Sequence, residues 1–257
     1  MKRVVILAAV LALCAALAGA SGIEEEGLAS LDAPVDGAGV ELVEIRSGTM
    51  DVSVSPGNRA QAALVNQEES SFPWEDSSPG SLRQERDGNR LYAWIETDGP
   101  FSAPAHGLIH VRVPRGASLR VRTTSGDVRV EGLEGGKVDI RTTSGSVSLR
   151  RVHARVLVDS VSGSVDIDSA DGPLDARTVS GRIEGRRLLL SDYCELSSVS
   201  GNIDIGVLSG LESIGFDLRS VSGSIRVGTI RTVHGLRMGF GRTLVKARTI
   251  SGSVSFQ

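Results

Sequence analysis

The segment LRVRTTSGDVRV, at residues 119–130, contains a phrase that occurs seven times in the second half of the 257-residue chain. Each copy has a Thr or Ser, a β-branched residue, a Ser-Gly pair, one variable residue and then Val or Ile. The Ser-Gly glycines are Gly126, Gly145, Gly163, Gly181, Gly201, Gly223 and Gly252. Successive glycines are 18 to 29 residues apart. A period near 20 residues is typical of stacked repeats, in which one unit cannot bury its own apolar face.

The alternation inside each copy predicts strands with one buried face. In the first copy, Leu119, Val121 and Thr123 alternate with charged residues, and Val128 resumes the pattern in a shifted phase after the Ser-Gly pair. The shift predicts a corner, where glycine tolerates backbone angles that other residues avoid. We therefore expect an all-β fold, a single-stranded parallel β-helix (β-solenoid) of about seven coils, over residues 119–257.

The sequence before the repeats divides into three further segments. Residues 1–20 have the charged start, apolar run and small-x-small ending of a signal peptide, although an uncleaved membrane anchor is the alternative. Residues 21–39 are typical of a disordered linker. Residues 40–118 predict an irregular β region, with a degenerate repeat at Ser47-Gly48 and a hairpin at Asp87-Gly88-Asn89. Its two polar loops contain Phe72, Trp74 and Phe101, which either close one end of the core or grip a ligand.

The composition limits the classes of function. The net charge of -3 gives no electrostatic argument for nucleic-acid binding, so no nucleic-acid partner is expected. The signal peptide predicts export to the periplasm, the cell surface or the extracellular space. After its removal Cys194 is the one remaining cysteine, and its place in an apolar column predicts a buried, inert thiol.

Two polar columns of the repeat are candidate binding features. The Thr/Ser column is expected to fix the register of the coils through hydrogen bonds, with a hydroxyl-rich ligand groove as the alternative. The outward arginines are candidate ligand-binding residues for an acidic polysaccharide: Arg122, Arg141, Arg177, Arg219 and Arg248. Carboxylates alternate with these arginines along the chain, so a solvated lattice of ion pairs is the simpler interpretation.

Metal and catalytic signals are weak. Asp166, Asp168 and Asp171 form a weak Ca²⁺ candidate, because oxygen ligands suit Ca²⁺ but their spacing differs from that of a calcium loop. The histidines and cysteines do not have the spacing of a zinc motif, and neither a nucleophile elbow nor a phosphate loop occurs. The sequence therefore predicts no metal, no cofactor and no enzymatic activity.

The segment LIHVRVPRGASLRVRTTSGDVRVEGLEGGKVDIRTTSGSVSL, at residues 108–149, resembles the bacterial putative-adhesin domain family, a group of exported Ser-Gly repeat β-solenoids. The resemblance extends over roughly residues 40–257. It implies a non-catalytic adhesin-like or scaffolding protein of the cell envelope, whose partner is an envelope polysaccharide or another envelope protein. Two alternatives stay open: a carbohydrate-active β-helix enzyme, and a rod that self-associates end to end. The second follows from Phe256-Gln257, which ends the chain on a strand that an open solenoid edge would expose.

Overall fold

A computed structural model describes residues 37–65, 81–96, 107–239 and 241–257. These ranges contain β-strands and one short 3-10 helix, Leu211–Ser213. No helix within them is long and apolar enough to cross a membrane. The strands are β1 Leu42–Ser47, β2 Asp51–Gly57, β3 Gln61–Val65, β4 Ser81–Asp87, β5 Arg90–Glu96, β6 Leu108–Pro114, β7 Ser118–Thr123, β8 Val128–Glu131, β9 Glu134–Thr142, β10 Val147–Ser160, β11 Val165–Gly172, β12 Leu174–Thr178, β13 Ile183–Leu190, β14 Tyr193–Ser198, β15 Ile203–Val207, β16 Ile214–Val227, β17 Ile230–Met238, β18 Thr243–Thr249 and β19 Val254–Phe256.

Two parallel sheets run along the stack. Sheet A has the spatial order β5, β1, β7, β9, the second half of β10, β12, β14, β18 and the first half of β16. Sheet B has the order β6, β2, β8, the first half of β10, β11, β13, β15, β19 and the second half of β16. The predicted all-β solenoid of parallel strands is confirmed.

Each regular coil follows the same path. A sheet A strand ends at the buried Thr or Ser, the chain turns at the Ser-Gly pair, and a sheet B strand follows. A second corner then uses a left-handed residue, with φ of 50° at Arg151, 59° at Ser169 and 54° at Arg187. A short third face carries buried Val152 and Leu188 before the chain returns to sheet A.

The core consists of aliphatic ladders that continue through the whole stack. One hydrophobic cluster extends from Val40 to Phe256, and the alternating residues predicted to be buried are buried. In β12, for example, Leu174, Ala176 and Thr178 point inward while the residues between them are partly or fully exposed. Burial of each larger aliphatic side chain contributes about 1.5–3 kcal/mol, and a single coil has too few of them to offset its ordering.

The irregular N-terminal region continues the same two sheets. β1 pairs in parallel with β5 on one side and with β7 on the other, so the first described strand lies inside the stack. The hairpin at Gly88-Asn89 is confirmed, since β4 and β5 are antiparallel and Gly88 has φ of 59°. The degenerate repeat aligns with the other copies in a different way from the prediction. Ser47 pairs with Thr123 of the Thr/Ser column, so Ser47 is not the serine of a Ser-Gly corner.

The C-terminal strands are also out of chain order. β18 and β19 insert between the coil of β14–β15 and that of β16. The expectation that Phe256 ends on an open solenoid edge is therefore wrong, because β19 has a neighbour on each side. The antiparallel strand β17 covers β16 at this end, and β4 with β3 lies on the first coil at the other. Any end-to-end contact at the β16 end would have to involve β17.

Several sequence predictions lie outside the described residues. These are the signal peptide at 1–20, most of the linker at 21–39, and the loop aromatics Phe72, Trp74 and Phe101.

Candidate functional site

The Thr/Ser column holds the coils together at the first corner. The Thr178 hydroxyl accepts a hydrogen bond from the Gly181 N–H at 3.0 Å and donates to the Gly163 carbonyl of the preceding coil at 3.3 Å. Ser198 repeats both contacts one coil later, at 2.8 Å to the Gly201 N–H and 3.2 Å to the Gly181 carbonyl. These hydroxyls are buried and use their donor in the stack. The column is therefore structural, and the alternative of a hydroxyl-rich groove is not supported.

The corner glycines are required by the neighbouring coil. A Cβ on Gly181 would lie 2.1 Å from the carbonyl oxygen of Gly163, and one on Gly201 would lie 1.8 Å from that of Gly181. None of the seven Ser-Gly glycines has a positive φ. The expectation that these glycines serve unusual backbone angles is wrong, since close contact between successive coils excludes a side chain here.

The five predicted arginines lie in one exposed column on the outer surface of sheet A. Strand pairing gives the spatial order Arg46, Arg122, Arg141, Asp159, Arg177, Ser197, Arg248 and Arg219. We call this the arginine column. Arg46 was missed because its copy of the repeat is degenerate. The last two members exchange places relative to the sequence because β18 inserts before β16.

Most of these arginines pair with carboxylates. Arg141 lies 3.6 Å from Asp159, and Arg177 lies 3.2 Å from both Asp175 and Glu195. Burial raises the pKa of Asp175, and the nearby Glu195 and Asp159 add to this while Arg177 opposes it. The column is thus largely a lattice of surface ion pairs, each worth little by itself.

Two members of the column have guanidinium groups available to a ligand. Arg122 and Arg248 form no ion pair with any residue in the described ranges, and both are exposed. Arg219 lies 3.6 Å from Asp217. An anionic ligand would therefore meet separated cationic positions and not a continuous track.

An exposed aliphatic row follows the corner beside the arginine column. It consists of the β-branched residue of five successive coils, in the spatial order Val161, Val179, Val199, Ile250 and Val221. Backbone hydrogen bonds join these coils, with the Val179 N–H donating to the Val161 carbonyl at 3.1 Å and the Ile250 N–H donating to the Val199 carbonyl at 3.2 Å. Their exposed fractions range from 38% to 67%. We call this row the corner ridge.

The corner ridge was visible in the sequence but had no functional interpretation. The position is part of the repeated phrase, yet its orientation depends on the bend at the corner. The first two copies place Thr124 and Thr143 there, so the row becomes apolar only from Val161 onward. The exposed row therefore extends over the C-terminal half of the stack.

The three carboxylates of the weak Ca²⁺ candidate do not lie together as one group. The Asp168 carboxylate accepts a hydrogen bond from Arg187 at 2.6 Å, while Asp171 lies 3.7 Å from the His153 ring beyond the turn at Ser169. That turn separates Asp171 from the outer face of sheet B, which carries Asp166. Within the described residues, no group of three His, Cys, Asp or Glu side chains is arranged to hold a metal.

Cys194 is buried, as predicted. Its Sγ accepts a hydrogen bond from the Leu174 N–H at 3.4 Å, and burial raises the pKa of the thiol. Its neighbours in the column are Leu174 and Val245, because β18 occupies the position that chain order would give to β16. A high pKa and no exposure make this thiol unreactive.

Comparisons with known proteins agree with the predicted resemblance. Residues 95–254, more than half of the chain, match the family model described as Toastrack DUF4097. No curated protein sequence matches the chain.

The chain is similar to solved structures that include two bacterial proteins. A putative cell adhesion protein from Clostridium sporogenes is 8% identical, with a TM-score of 0.32 over 87% of this chain and 96% of that chain. A putative adhesin from Bacteroides fragilis is 15% identical, with a TM-score of 0.38 over 88% of this chain and 95% of that chain. On the extent of the family match, the chain belongs to the Toastrack DUF4097 family.

Proposed function

We propose that this chain is an exported, non-catalytic adhesin-like or scaffolding protein of the bacterial cell envelope. It binds through its repetitive outer face, made of the corner ridge and the arginine column. The observation that carries the proposal is the corner ridge, five aliphatic side chains left at least 38% exposed on successive coils.

The length and surroundings of the ridge support a binding role. Coils about 4.8 Å apart make a row of five residues about 19 Å long. Contiguous exposed apolar surface bordered by polar residues is typical of interaction sites. Arg177, Arg248 and Arg219 precede ridge residues by two positions, so cationic groups border the row. The fitting partner is an envelope polysaccharide or another envelope protein with apolar and anionic groups in register with the coils.

Export rests on the sequence of residues 1–20. The charged start, apolar run and Ala18-Gly19-Ala20 ending direct such a chain out of the cytoplasm. Outside the cytoplasm the protein would meet the envelope components that the ridge is proposed to bind.

Adsorption to isolated envelope fractions tests this function. The ridge variant carries Val179→Thr, Val199→Thr and Ile250→Thr, and we expect its adsorption to fall about tenfold or more, equivalent to about 1.4 kcal/mol. Thr is tolerated at this position, since Thr124 and Thr143 occupy it in the first two regular coils.

The matched control is Val233→Thr, which changes an aliphatic residue that is 58% exposed on β17, outside the ridge. This control should adsorb like the unmodified chain. Equal adsorption of the ridge variant and the control would refute the proposed face. Release of reducing sugar ends from the envelope fraction would favour the enzyme alternative.

A further inference from the structure

A second surface, separate from the corner ridge, lies at the first coils of sheet A. An open groove of about 740 Å³ is bordered by strands β4, β5 and β1. Its lining includes two aromatic and four charged side chains: Tyr92, Trp94, Glu44, Arg46, Glu85 and Asp87. We call it the aromatic groove.

Strand register arranges the groove in two rows across the sheet. Tyr92 of β5 lies between Glu85 of β4 and Glu44 of β1. One step along the strand, Trp94 lies between β4 and Arg46 of β1. The two rings project from the same face of β5 about 7 Å apart, two residues along a strand. They form an aromatic floor with charged groups on either side.

The core does not account for the two rings. Leu91 and Ala93, which alternate with them, fill the interior and are at most 1% exposed. Tyr92 and Trp94 point outward and are partly exposed, and the Tyr92 hydroxyl accepts a hydrogen bond from Arg90 at 3.4 Å. A partly exposed Trp beside a Tyr on a solvent-facing strand presents apolar ring faces that a ligand can cover.

One wall of the groove is fixed by ion pairs. The Glu44 carboxylate receives hydrogen bonds from Arg46 at 3.0 Å and from Arg120 at 3.3 Å. Burial by itself raises the pKa of Glu44, but these arginine contacts outweigh it, so the pKa lies below its usual value. Arg46 is consequently held beside Trp94 with part of its guanidinium exposed.

The opposite wall offers hydrogen-bond acceptors. Glu85 and Asp87 are exposed on β4 and form no ion pair with any residue in the described parts of the chain. Among the described residues, the lining thus has three carboxylates and one guanidinium. This excess of negative charge disfavours the binding of phosphate or of an acidic polysaccharide.

A pyranose ring fits this arrangement of groups. Its axial C–H groups form an apolar face that stacks on an aromatic ring, while its equatorial hydroxyls project sideways. Such hydroxyls can donate to Glu85 and Asp87 and accept from Arg46. An amino substituent on the sugar, cationic near neutral pH, would also favour the carboxylate wall. Pockets of this volume, with an apolar floor and a few polar groups, are typical of small-molecule sites.

We propose that the aromatic groove binds one or two pyranose rings of a neutral or amino-bearing glycan, with Tyr92 and Trp94 as the stacking floor. The proposal deepens the proposed function by naming a ligand class, and it places that ligand on a surface distinct from the corner ridge.

Titration of the full chain with soluble oligosaccharides tests the proposal. The probes are a chitin oligosaccharide, which is neutral, a chitosan oligosaccharide, which is cationic, and a polygalacturonate oligosaccharide, which is acidic. Isothermal calorimetry should show saturable binding of the neutral or the cationic probe and none of the acidic probe. Insoluble chitin in a sedimentation assay separates recognition of a polymer from recognition of a free sugar.

Variants of the floor identify the site. Trp94→Ala and Tyr92→Ala should each weaken binding about tenfold or more, a change of about 1.4 kcal/mol. Trp94→Phe keeps a ring and should bind within about threefold of the unmodified chain, a change of about 0.7 kcal/mol. If circular dichroism shows that the Trp94→Ala variant is unfolded, the pair Tyr92→Phe and Tyr92→Ser provides the same comparison at the other ring.

Three outcomes would overturn the proposal: no binding of either the neutral or the cationic probe, binding of the acidic probe alone, or unchanged affinity in Trp94→Ala. In the last case the rings serve only to cover the end of the sheet. The ridge variant should bind the oligosaccharides normally. If envelope adsorption depends on the ridge and no probe binds, the groove proposal fails and the proposed function stands.

Discussion

Replacing Gly181 by Ala tests the central feature of the stack, the contact between successive coils at the Ser-Gly corner. The added Cβ would lie 2.1 Å from the Gly163 carbonyl oxygen and 2.7 Å from the Thr178 hydroxyl. A carbon–oxygen contact needs about 3.3 Å, so the two coils must separate by about 1 Å at this corner.

Three hydrogen bonds determine the expected loss of stability in the Gly181→Ala variant. They are Thr178 Oγ1 to the Gly163 carbonyl at 3.3 Å, the Gly181 N–H to Thr178 Oγ1 at 3.0 Å, and the Ser180 N–H to the Val161 carbonyl at 2.9 Å. At about 1 kcal/mol each, their weakening lowers the free energy of unfolding by about 3 kcal/mol. This agrees with the upper part of the usual range for overpacking, about 1–3 kcal/mol.

Urea unfolding followed by circular dichroism provides the measurement, with Gly206→Ala as the matched control. The nearest atom to a Cβ on Gly206 would be the Gly185 carbonyl oxygen at 3.6 Å, an ordinary contact, and Gly206 does not have a positive φ. The control should be neutral or more stable by up to about 1 kcal/mol. The reasoning is refuted if Gly181→Ala unfolds at the same urea concentration as the control.

Three further predictions concern other parts of the stack. Thr178→Val should lower the free energy of unfolding by about 1–3 kcal/mol, because it leaves the Gly181 N–H without its acceptor, whereas Thr178→Ser should restore most of the loss in the same urea assay. Phe256→Ala should cost about 3–5 kcal/mol, because this C-terminal ring is fully buried and packs edge-on at 5.1 Å against Phe216; a thermal shift near zero would contradict the interior position of β19. Burial, with Arg112 nearby, lowers the pKa of His110 in the folded chain from 6.5. Protonation therefore favours the unfolded state, and stability should fall as the pH drops through about 6.5. Urea midpoints at about pH 7.5 and about pH 5.5 measure the fall, and His110→Gln should reduce it.

Local pattern was sufficient to predict the regular coils. Alternation at residues such as Leu174, Ala176 and Thr178 depends only on which side chains avoid water, and that preference belongs to each residue. The repeated Ser-Gly pair located the corners for the same reason. The role of the hydroxyl column also followed from sequence, since a Thr or Ser beside every corner is too regular for a ligand site.

The candidate binding surfaces were less accessible to sequence. Tyr92 and Trp94 occur as ordinary alternating residues of a hairpin strand, and nothing local shows that β1 supplies Glu44 and Arg46 beside them. The residues of the corner ridge occupy a fixed position of the repeat. Whether a β-branched residue next to a bend points outward or inward, however, depends on the geometry of that bend.

The sequence by itself determined that this protein is a stack of β-coils with aliphatic ladders inside and charged columns outside, because periodic burial is encoded residue by residue. Only the tertiary structure decided the order of the outer coils. β18–β19 and β1–β2 each enter the stack one place inward from their position in the chain. The inward pattern is shared by all coils, so it does not specify which coils become neighbours. The corner residues are glycine because the coils are in close contact there, and not because the corners need unusual backbone angles.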